Sequence, residues 1–422
     1  MDFETWWLIF VPLVFALGWI AARVDIRQML SETRTLPKSY FKGLNFLLNE
    51  QPDRAIDAFV EVAKLDPETT ELHFALGSLF RRRGEMERAI RVHQSLLSRA
   101  DLPQADRESA QHELAQDFLK AGMLDRAEQA FEQVLDTRFA VPAVRALIRI
   151  HESEHDWPRA IDAVKRLRAL VDEPVPQLAH YQCELAELAL AAKPPNVVVA
   201  TQALDAADDA VRRLPDHEGR GAMARIAMLR AAMAGLQGHA ETRRNLLVSV
   251  FTETPDYAGL VAAQLLEAHR EAGLAEPGLA LLLAHYERHP SLDVFNVVFR
   301  ELRAQQGHEK AWKFARRALR LHPSLLGLDR LLEAELGFQR ADPSTENDAS
   351  SASPQPGTDA PASAFGDVAD LGLLRSLIHR HTQRLDRYAC THCGFEARTF
   401  YWQCPACTSW ETYAPRRLEE IK

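Results

Sequence analysis

The sequence predicts a mainly α-helical chain, with one N-terminal transmembrane helix, a long solenoid of paired helices, and a small C-terminal β-hairpin knuckle built round a metal. Three observations predict it. Residues 6–22 run seventeen positions without a charge, and a pattern of small, aromatic and alanine residues, thirty-four positions apart in its first two units, recurs with drift between about residues 39 and 340. Four of the five cysteines then fall within eighteen residues near the C-terminus, as two Cys-x-x-Cys pairs. A chain of 422 residues has ample surface to bury. Its formal charge of -9 argues against nucleic acid as a partner, because neutralising phosphates needs a basic footprint.

The apolar run, within residues 1–22, is about the shortest that spans a bilayer as a helix. Trp6, Trp7 and Trp19 sit near its ends, where amphipathic rings favour the interface. Asp2 and Glu4 precede it, where a cleaved signal peptide carries basic residues instead. Arg23, Arg27, Arg34 and Lys38 follow in a juxtamembrane segment, residues 23–38, so the positive-inside rule puts the remainder of the chain in the cytoplasm. A reducing compartment is what unbridged cysteines require.

Residues 39–340 repeat. Gly43 and Gly77, Phe46 and Phe80, and Ala55 and Ala89 are equivalent positions thirty-four apart. That is the tetratricopeptide period: a small residue where two helices touch, an aromatic one turn later, then alanine on the second helix. A third unit carries Leu114, Ala115, Phe118, Gly122, Ala127 and Phe131, and a fourth Leu147, Ala160 and Val164. A fifth is stretched at residues 193–196 before Ala203 and Ala207. Weaker units cover residues 224–250, 265–290 with Gly273 as a turn, and 297–323 with Gly307, Ala311 and Ala315; residues 325–339 form a capping helix. Pro67, Pro215, Pro290 and Pro323 each close a second helix, since proline cannot continue one.

Such a solenoid offers a long surface for partner segments and no catalytic interior. His73, His93, His112, His151, His155, His269 and His285 show no metal-ligand spacing and are expected at the surface or in the groove. The Arg81, Arg82, Arg83 run reads as a solvated helix end, and Cys183 as a small buried hydrophobe. No Ser-His-Asp or Cys-His arrangement, phosphate-cradling glycine loop or HExxH helix occurs.

Residues 341–366 change to serine, proline, alanine and aspartate with almost no large apolar residue, the composition of a disordered tether. Such a tether reaches roughly 28 Å and leaves whatever follows free to reposition. Residues 367–387 form an amphipathic helix with Leu371, Leu374, Ile378 and Leu385 on one face and Arg375, Arg380, Arg384 and Arg387 elsewhere. Two uses suit it, packing on the last repeats or a basic surface toward anionic lipid headgroups or an acidic partner.

In residues 388–414, Cys390/Cys393 and Cys404/Cys407 are separated by ten residues, enough for a short hairpin that brings two thiolate turns onto one tetrahedral metal. Two disulfides are the competing arrangement, but a bridge between cysteines so close in sequence is strained. Four thiolates leave no open position for hydrolytic chemistry, and their sulfur suits zinc or iron. Spacing alone leans to zinc. Tyr388, Phe395, Phe400, Tyr401, Trp402, Trp410 and Tyr413 read as the module's miniature core.

Taken together, the N-terminal span, an array opening with GLNFLLNEQPDRAIDAF and LGSLFRRRGEMERAIRVHQSL, and the terminal YACTHCGFEARTFYWQCPACTSW resemble the lipopolysaccharide assembly protein B family of Gram-negative bacteria. The resemblance implies a rubredoxin-like module with Cys390, Cys393, Cys404 and Cys407 as iron ligands, although Thr408 stands where the second knuckle of rubredoxins usually has glycine. It also implies a non-enzymatic adaptor at the cell inner membrane. In that family the adaptor promotes proteolysis of the lipid A pathway deacetylase by the membrane protease FtsH, and a role in gathering other lipopolysaccharide synthesis or transport proteins differs from this only in the partners. The alternative from another class is a membrane-tethered rubredoxin-type electron carrier.

Overall fold

The computed structural model describes residues 38–49, 51–65, 69–215, 218–341 and 368–421, together with 15, 16 and 19. The expected membrane span, juxtamembrane segment and tether lie outside these residues, apart from Phe15, Ala16, Trp19, Lys38 and Ala341. Among the described residues no helix is long and apolar enough to cross a membrane. The fold is a mainly helical, tetratricopeptide-like solenoid with a small C-terminal sheet. It divides into two compact units, residues 1–150 with 169–171 and residues 151–168 with 172–422.

In the first unit α1 (Lys38–Leu48) packs on α2 (Pro52–Leu65), α3 (Thr70–Arg82) on α4 (Met86–Leu97), and α5 (Gln104–Lys120) on α6 (Leu124–Glu132). Ala55, Ile56, Phe59 and Val62 fall on one face of α2 and are buried with Leu72, Leu76 and Phe80 of α3. The small repeat positions are small because partner helices touch there. A Cβ on Gly43 would lie 2.6 Å from the Phe59 ring, and one on Gly77 would meet the His93 ring. The histidine expectation is corrected at this point: His93 and His112 are buried. His93 Nδ1 lies 2.5 Å from Asp117, whose other oxygen accepts from Arg81 at 2.7 Å. Arg81 also pairs with Glu113, so it belongs to a buried network and is no solvated helix end. A charge inside a helical stack persists only when paired, which explains why Arg81 and Asp117 occur together.

The boundary falls within α7 (Ala140–Ser153), and the second unit continues through most of α8 (Trp157–Leu170). Then come α9 (Gln177–Ala191), α10 (Val197–Val211), α11 (Arg220–Leu236), α12 (Ala240–Glu253), a 3₁₀ turn (Pro255–Tyr257), α13 (Ala258–Glu271), α14 (Ala275–Arg288), α15 (Leu292–Gln306), α16 (His308–Leu321) and α17 (Leu325–Ala341). Ala186, Ala200, Ala203 and Ala207 let α9 and α10 approach closely around Cys183, which is fully buried with its thiol pushed up to about 12 by desolvation. Leu265, Leu282, Phe295, Phe299, Ala311 and Ala315 continue the core through the later pairs. Gly273 takes φ +73 in the turn between α13 and α14, a left-handed conformation glycine adopts without steric cost. His151, His269 and His285 are also buried here, where surface or groove positions were expected.

Helix α18 (Val368–Thr382) packs on α17, with Leu371 buried against Leu332 and Leu336 and Ile378 at the edge of that cluster. Leu374, expected on the same buried face, is 42% exposed instead, because Arg375 and His379 turn toward Asp329 of α17 and set the rotation of the helix. Strands β1 (Tyr388–Ala389) and β2 (Glu396–Ala397) pair antiparallel, and the four-residue helix α19 (Leu418–Ile421) ends the described chain.

Candidate metal centre

Each cysteine pair sits at the tip of its own hairpin. Strands β1 and β2 pair across Cys390/Cys393, and a bridge between Gln403 and Trp410 spans Cys404/Cys407. The expected hairpin across the ten intervening residues is not what joins the turns. A strand pair around each knuckle sets that knuckle's own geometry, and the module closes through a further bridge from Cys390 to Tyr413. The two turns share one pattern: Gly394 N–H donates to the Cys390 carbonyl at 2.9 Å and Thr408 N–H to the Cys404 carbonyl at 2.8 Å. Both residues after the second cysteine are left-handed, Gly394 at φ +76 and Thr408 at φ +57. Glycine accepts this freely, whereas threonine does so against the clash of its Cβ.

The Sγ atoms of Cys390, Cys393, Cys404 and Cys407 lie within 4.8 Å of one another. Cys390 to Cys407 and Cys393 to Cys404 are each 3.7 Å apart. A tetrahedron with metal–sulfur bonds of about 2.3 Å has edges of roughly 3.8 Å, so the four thiols fit one tetrathiolate ion. This is far beyond a disulfide S–S length, and the alternative pairing into bridges is absent among the described cysteines. Burial works against ionising Cys390, but its hydrogen bond with Thr412, whose Oγ1 accepts from the thiol at 3.2 Å, and the backbone N–H groups of Cys393 and His392 outweigh it and bring the thiol down to about 6. Cys407 is lowered chiefly by the Ser409 hydroxyl and backbone N–H. Donors aimed at these two sulfurs stabilise thiolate, while Cys393, in spite of the Phe395 N–H, is pushed up to about 12 by desolvation and the three neighbouring sulfurs. The bound ion would tie the two hairpins together, and four filled thiolate positions leave no site for a substrate.

The expected miniature core is only partly one. Tyr388, Phe400 and Tyr413 pack around Cys390 and Cys404, while Phe395 and Tyr401 are exposed. Trp402 and Trp410, on either side of the second knuckle, turn onto the helices of the second unit. Trp402 stacks on Tyr257 with centroids 5.6 Å apart and lies under the Arg225 guanidinium, while Trp410 stacks on His180 at 4.9 Å. The Trp410 indole N–H donates to Glu152 at 2.9 Å, and Glu152 also accepts from Tyr181. The module is therefore docked on the solenoid helices of its unit, against the expectation of a module free to reposition.

Three carboxylates complete the docking by reaching the starts of helices. Glu411 Oε1 accepts the Ala222 N–H of α11 at 3.0 Å and lies 2.7 Å from His180 Nε2. Glu420 accepts the Leu292 N–H of α15 at 2.8 Å. Glu419 accepts the Leu326 N–H of α17 at 3.0 Å, the Ser324 hydroxyl at 3.1 Å and the Leu325 N–H. First-turn N–H groups have no partner within their helix and carry the positive end of the helix dipole, so a carboxylate satisfies both needs at once. Burial would raise Glu411, yet the His180 hydrogen bond and the backbone N–H groups of Ala222 and Gly221 hold it below its ordinary value. Burial lowers His180, which is therefore neutral and donates through Nε2. Arg417 pairs with Asp293 at 2.8 Å and covers the Tyr388 ring, whose hydroxyl donates to the same carboxylate.

Glu411 and His180 were beyond sequence reasoning. They lie 231 residues apart, and neither belongs to a spaced motif. A faint signal existed in Gly221, a helix-destabilising residue in the first turn of α11, where a Cβ would lie 2.7 Å from Glu411 Cδ and 2.8 Å from the Tyr257 hydroxyl.

Comparison with known proteins agrees with both parts. A model described as rubredoxin metal binding domain matches residues 388–415, and a tetratricopeptide repeat model matches residues 42–105 and 112–179. Lipopolysaccharide assembly protein B of Escherichia coli (strain K12) is 30% identical over 410 residues, covering 96% of this chain and 97% of that one. The Haemophilus influenzae protein of the same name is 24% identical over 425 residues, 97% and 98% of the two chains. Among solved structures, that of MamA covers 40% of this chain and 95% of its own at 18% identity with a TM-score of 0.30, too distant to bear on the argument. Near-complete coverage of both chains by the Escherichia coli protein, through repeats and cysteine module alike, shows that this chain belongs to the lipopolysaccharide assembly protein B family.

Proposed function

We propose that this protein acts in lipopolysaccharide assembly as a non-catalytic adaptor, anchored in the cell inner membrane by residues 1–22 with its repeats on the cytoplasmic side. Its task is to bring the lipid A pathway deacetylase to the protease FtsH, so that deacetylase turnover sets the flux of precursor. The observation that carries this reading is the use made of the metal module. Its tryptophans and carboxylates are spent on the solenoid, and its thiolates are all directed at one another. A module built this way supports a binding surface better than it supports redox exchange with a second protein. Anchoring on the same membrane as the protease raises the effective concentration of the encounter.

Crosslinking in native membranes followed by pull-down tests the proposal. The protease and the deacetylase are expected together on the full chain, with recovery falling at least tenfold when residues 1–22 are removed. Recovery of neither from intact membranes would refute the adaptor reading.

A further inference from the structure

The residues that dock the module are the neighbours of its metal ligands. Trp402 precedes Cys404 by two positions, and Trp410 and Glu411 follow Cys407 by three and four. Glu411 itself is held at φ +51, a left-handed conformation a free chain rarely adopts, and its main-chain N–H donates to the Trp402 carbonyl at 2.9 Å. The second knuckle thus sets the spacing between two rings and one carboxylate. On the solenoid side these three groups meet His180, Tyr257, Arg225 and the α11 start, and beyond them Glu420 and Glu419 meet the starts of α15 and α17. Arg225 is buried, and although one nitrogen reaches Glu184 and Glu187, its Nε and Nη1 have no hydrogen-bond partner.

We propose that this face of the solenoid is a carboxylate- and tryptophan-reading surface which the chain's own C-terminal segment closes only while the four-cysteine site is filled, and which opens to an acidic, aromatic peptide when the site is emptied. The inference rests on the reading of Cys390, Cys393, Cys404 and Cys407 as one metal site. Without the ion the two knuckles are held at the separation that the 3.7 Å sulfur pairs define only by the Cys390–Tyr413 bridge and the small core of Tyr388, Phe400 and Tyr413. A short metal module then loses most of its folding free energy. The left-handed Glu411 relaxes, and the register between Trp402 and Trp410 goes with it. What is uncovered is three helix N-termini, a buried guanidinium with unused donors and two aromatic rings, which together suit a segment carrying carboxylates beside tryptophan.

The amides that donate no intrahelical bond report the event directly. Ala222, Leu292 and Leu325 owe their hydrogen bonds to Glu411, Glu420 and Glu419 alone. Hydrogen exchange of the full chain is compared filled, stripped by a chelator, and refilled with zinc or ferrous ion. Stripping should accelerate exchange at these three amides at least tenfold together with the knuckle amides of Gly394 and Thr408, and refilling should restore it. A peptide of residues 409–421 added to the stripped chain should slow the three amides again, and should bind the filled chain at least tenfold more weakly. If the knuckle amides accelerate while Ala222, Leu292 and Leu325 do not, docking is independent of the site and the proposal fails with the metal reading intact. If no amide changes after the ion is gone, the metal reading fails as well. Failure of the peptide to bind the stripped chain would overturn the reading surface.

Discussion

Thr408 shows how much one residue can be asked to bear. Its φ of +57 is where the first knuckle has Gly394, and the left-handed region costs a β-branched residue about 1–2 kcal/mol. Replacing it by glycine, which loses more entropy on folding, should still stabilise the metal-loaded module by about 0.5–1 kcal/mol in chemical denaturation. Arg81 predicts the opposite sign. Arg81→Ala leaves the fully buried Asp117 with His93 as its remaining partner and should cost about 3–5 kcal/mol in unfolding of the first unit. The docking pair carries a pH dependence. Burial and Arg225 depress His180 against the opposing pull of Glu411 and Glu184, and Glu411 is depressed by His180 and the helix amides in spite of burial. Docked, both groups prefer the neutral ring and the ionised carboxylate. Undocked, the ring takes a proton near its ordinary 6.5, so docking is strongest above that pH and weakens as pH falls through it, with Glu411 adding to the loss below about its ordinary 4.5. Exchange at the Ala222 amide, corrected for its intrinsic rate, should therefore be faster at pH 5.5 than at pH 7.5; equal or slower exchange would contradict the assignment of protonation states.

At the level of elements, helix α11 is the clearest case of local sequence yielding to tertiary demand. Glycine at its second position weakens the helix start, yet an alanine there would press into the Glu411 carboxylate. Gly221→Ala should leave the repeats folded and weaken docking by about 1–3 kcal/mol, read as faster exchange at Ala222 with no change at the core amides of α13. The repeat helices themselves were legible because their pattern is local. Gly43 and Gly77 recur thirty-four apart, Ala115 and Ala127 take up the small and alanine positions of the next unit, and the structure uses each where helices touch or bury. Pro215, Pro290 and Pro323 follow the ends of α10, α14 and α16 as the sequence predicts. The buried histidines were misplaced for the converse reason. Whether His93 faces solvent depends on Asp117 of another repeat, and no period in the sequence couples the two.

For the whole molecule, the four cysteines were legible from spacing alone, since thiolates that share an ion must lie close in sequence or be brought together by a short module. Where that module sits was not. Trp410, Glu411, Glu419 and Glu420 are unremarkable in a linear reading and acquire meaning only against helix starts and side chains 93 to 258 residues away. The family membership follows from the complete match of repeats and knuckle, while the adaptor role rests on what the docked module leaves available. The most direct test separates the metal from its docking. The Trp402→Ala, Trp410→Ala double variant keeps all four cysteines and should still bind one metal ion, but it removes both rings that seat the module on Tyr257 and His180. The half-life of the deacetylase, measured in cells that carry only this variant, should lengthen several-fold toward that of cells lacking the protein. An unchanged half-life, with the variant present at normal abundance and loaded with metal, would contradict the claim that the docked module supports the adaptor's binding surface.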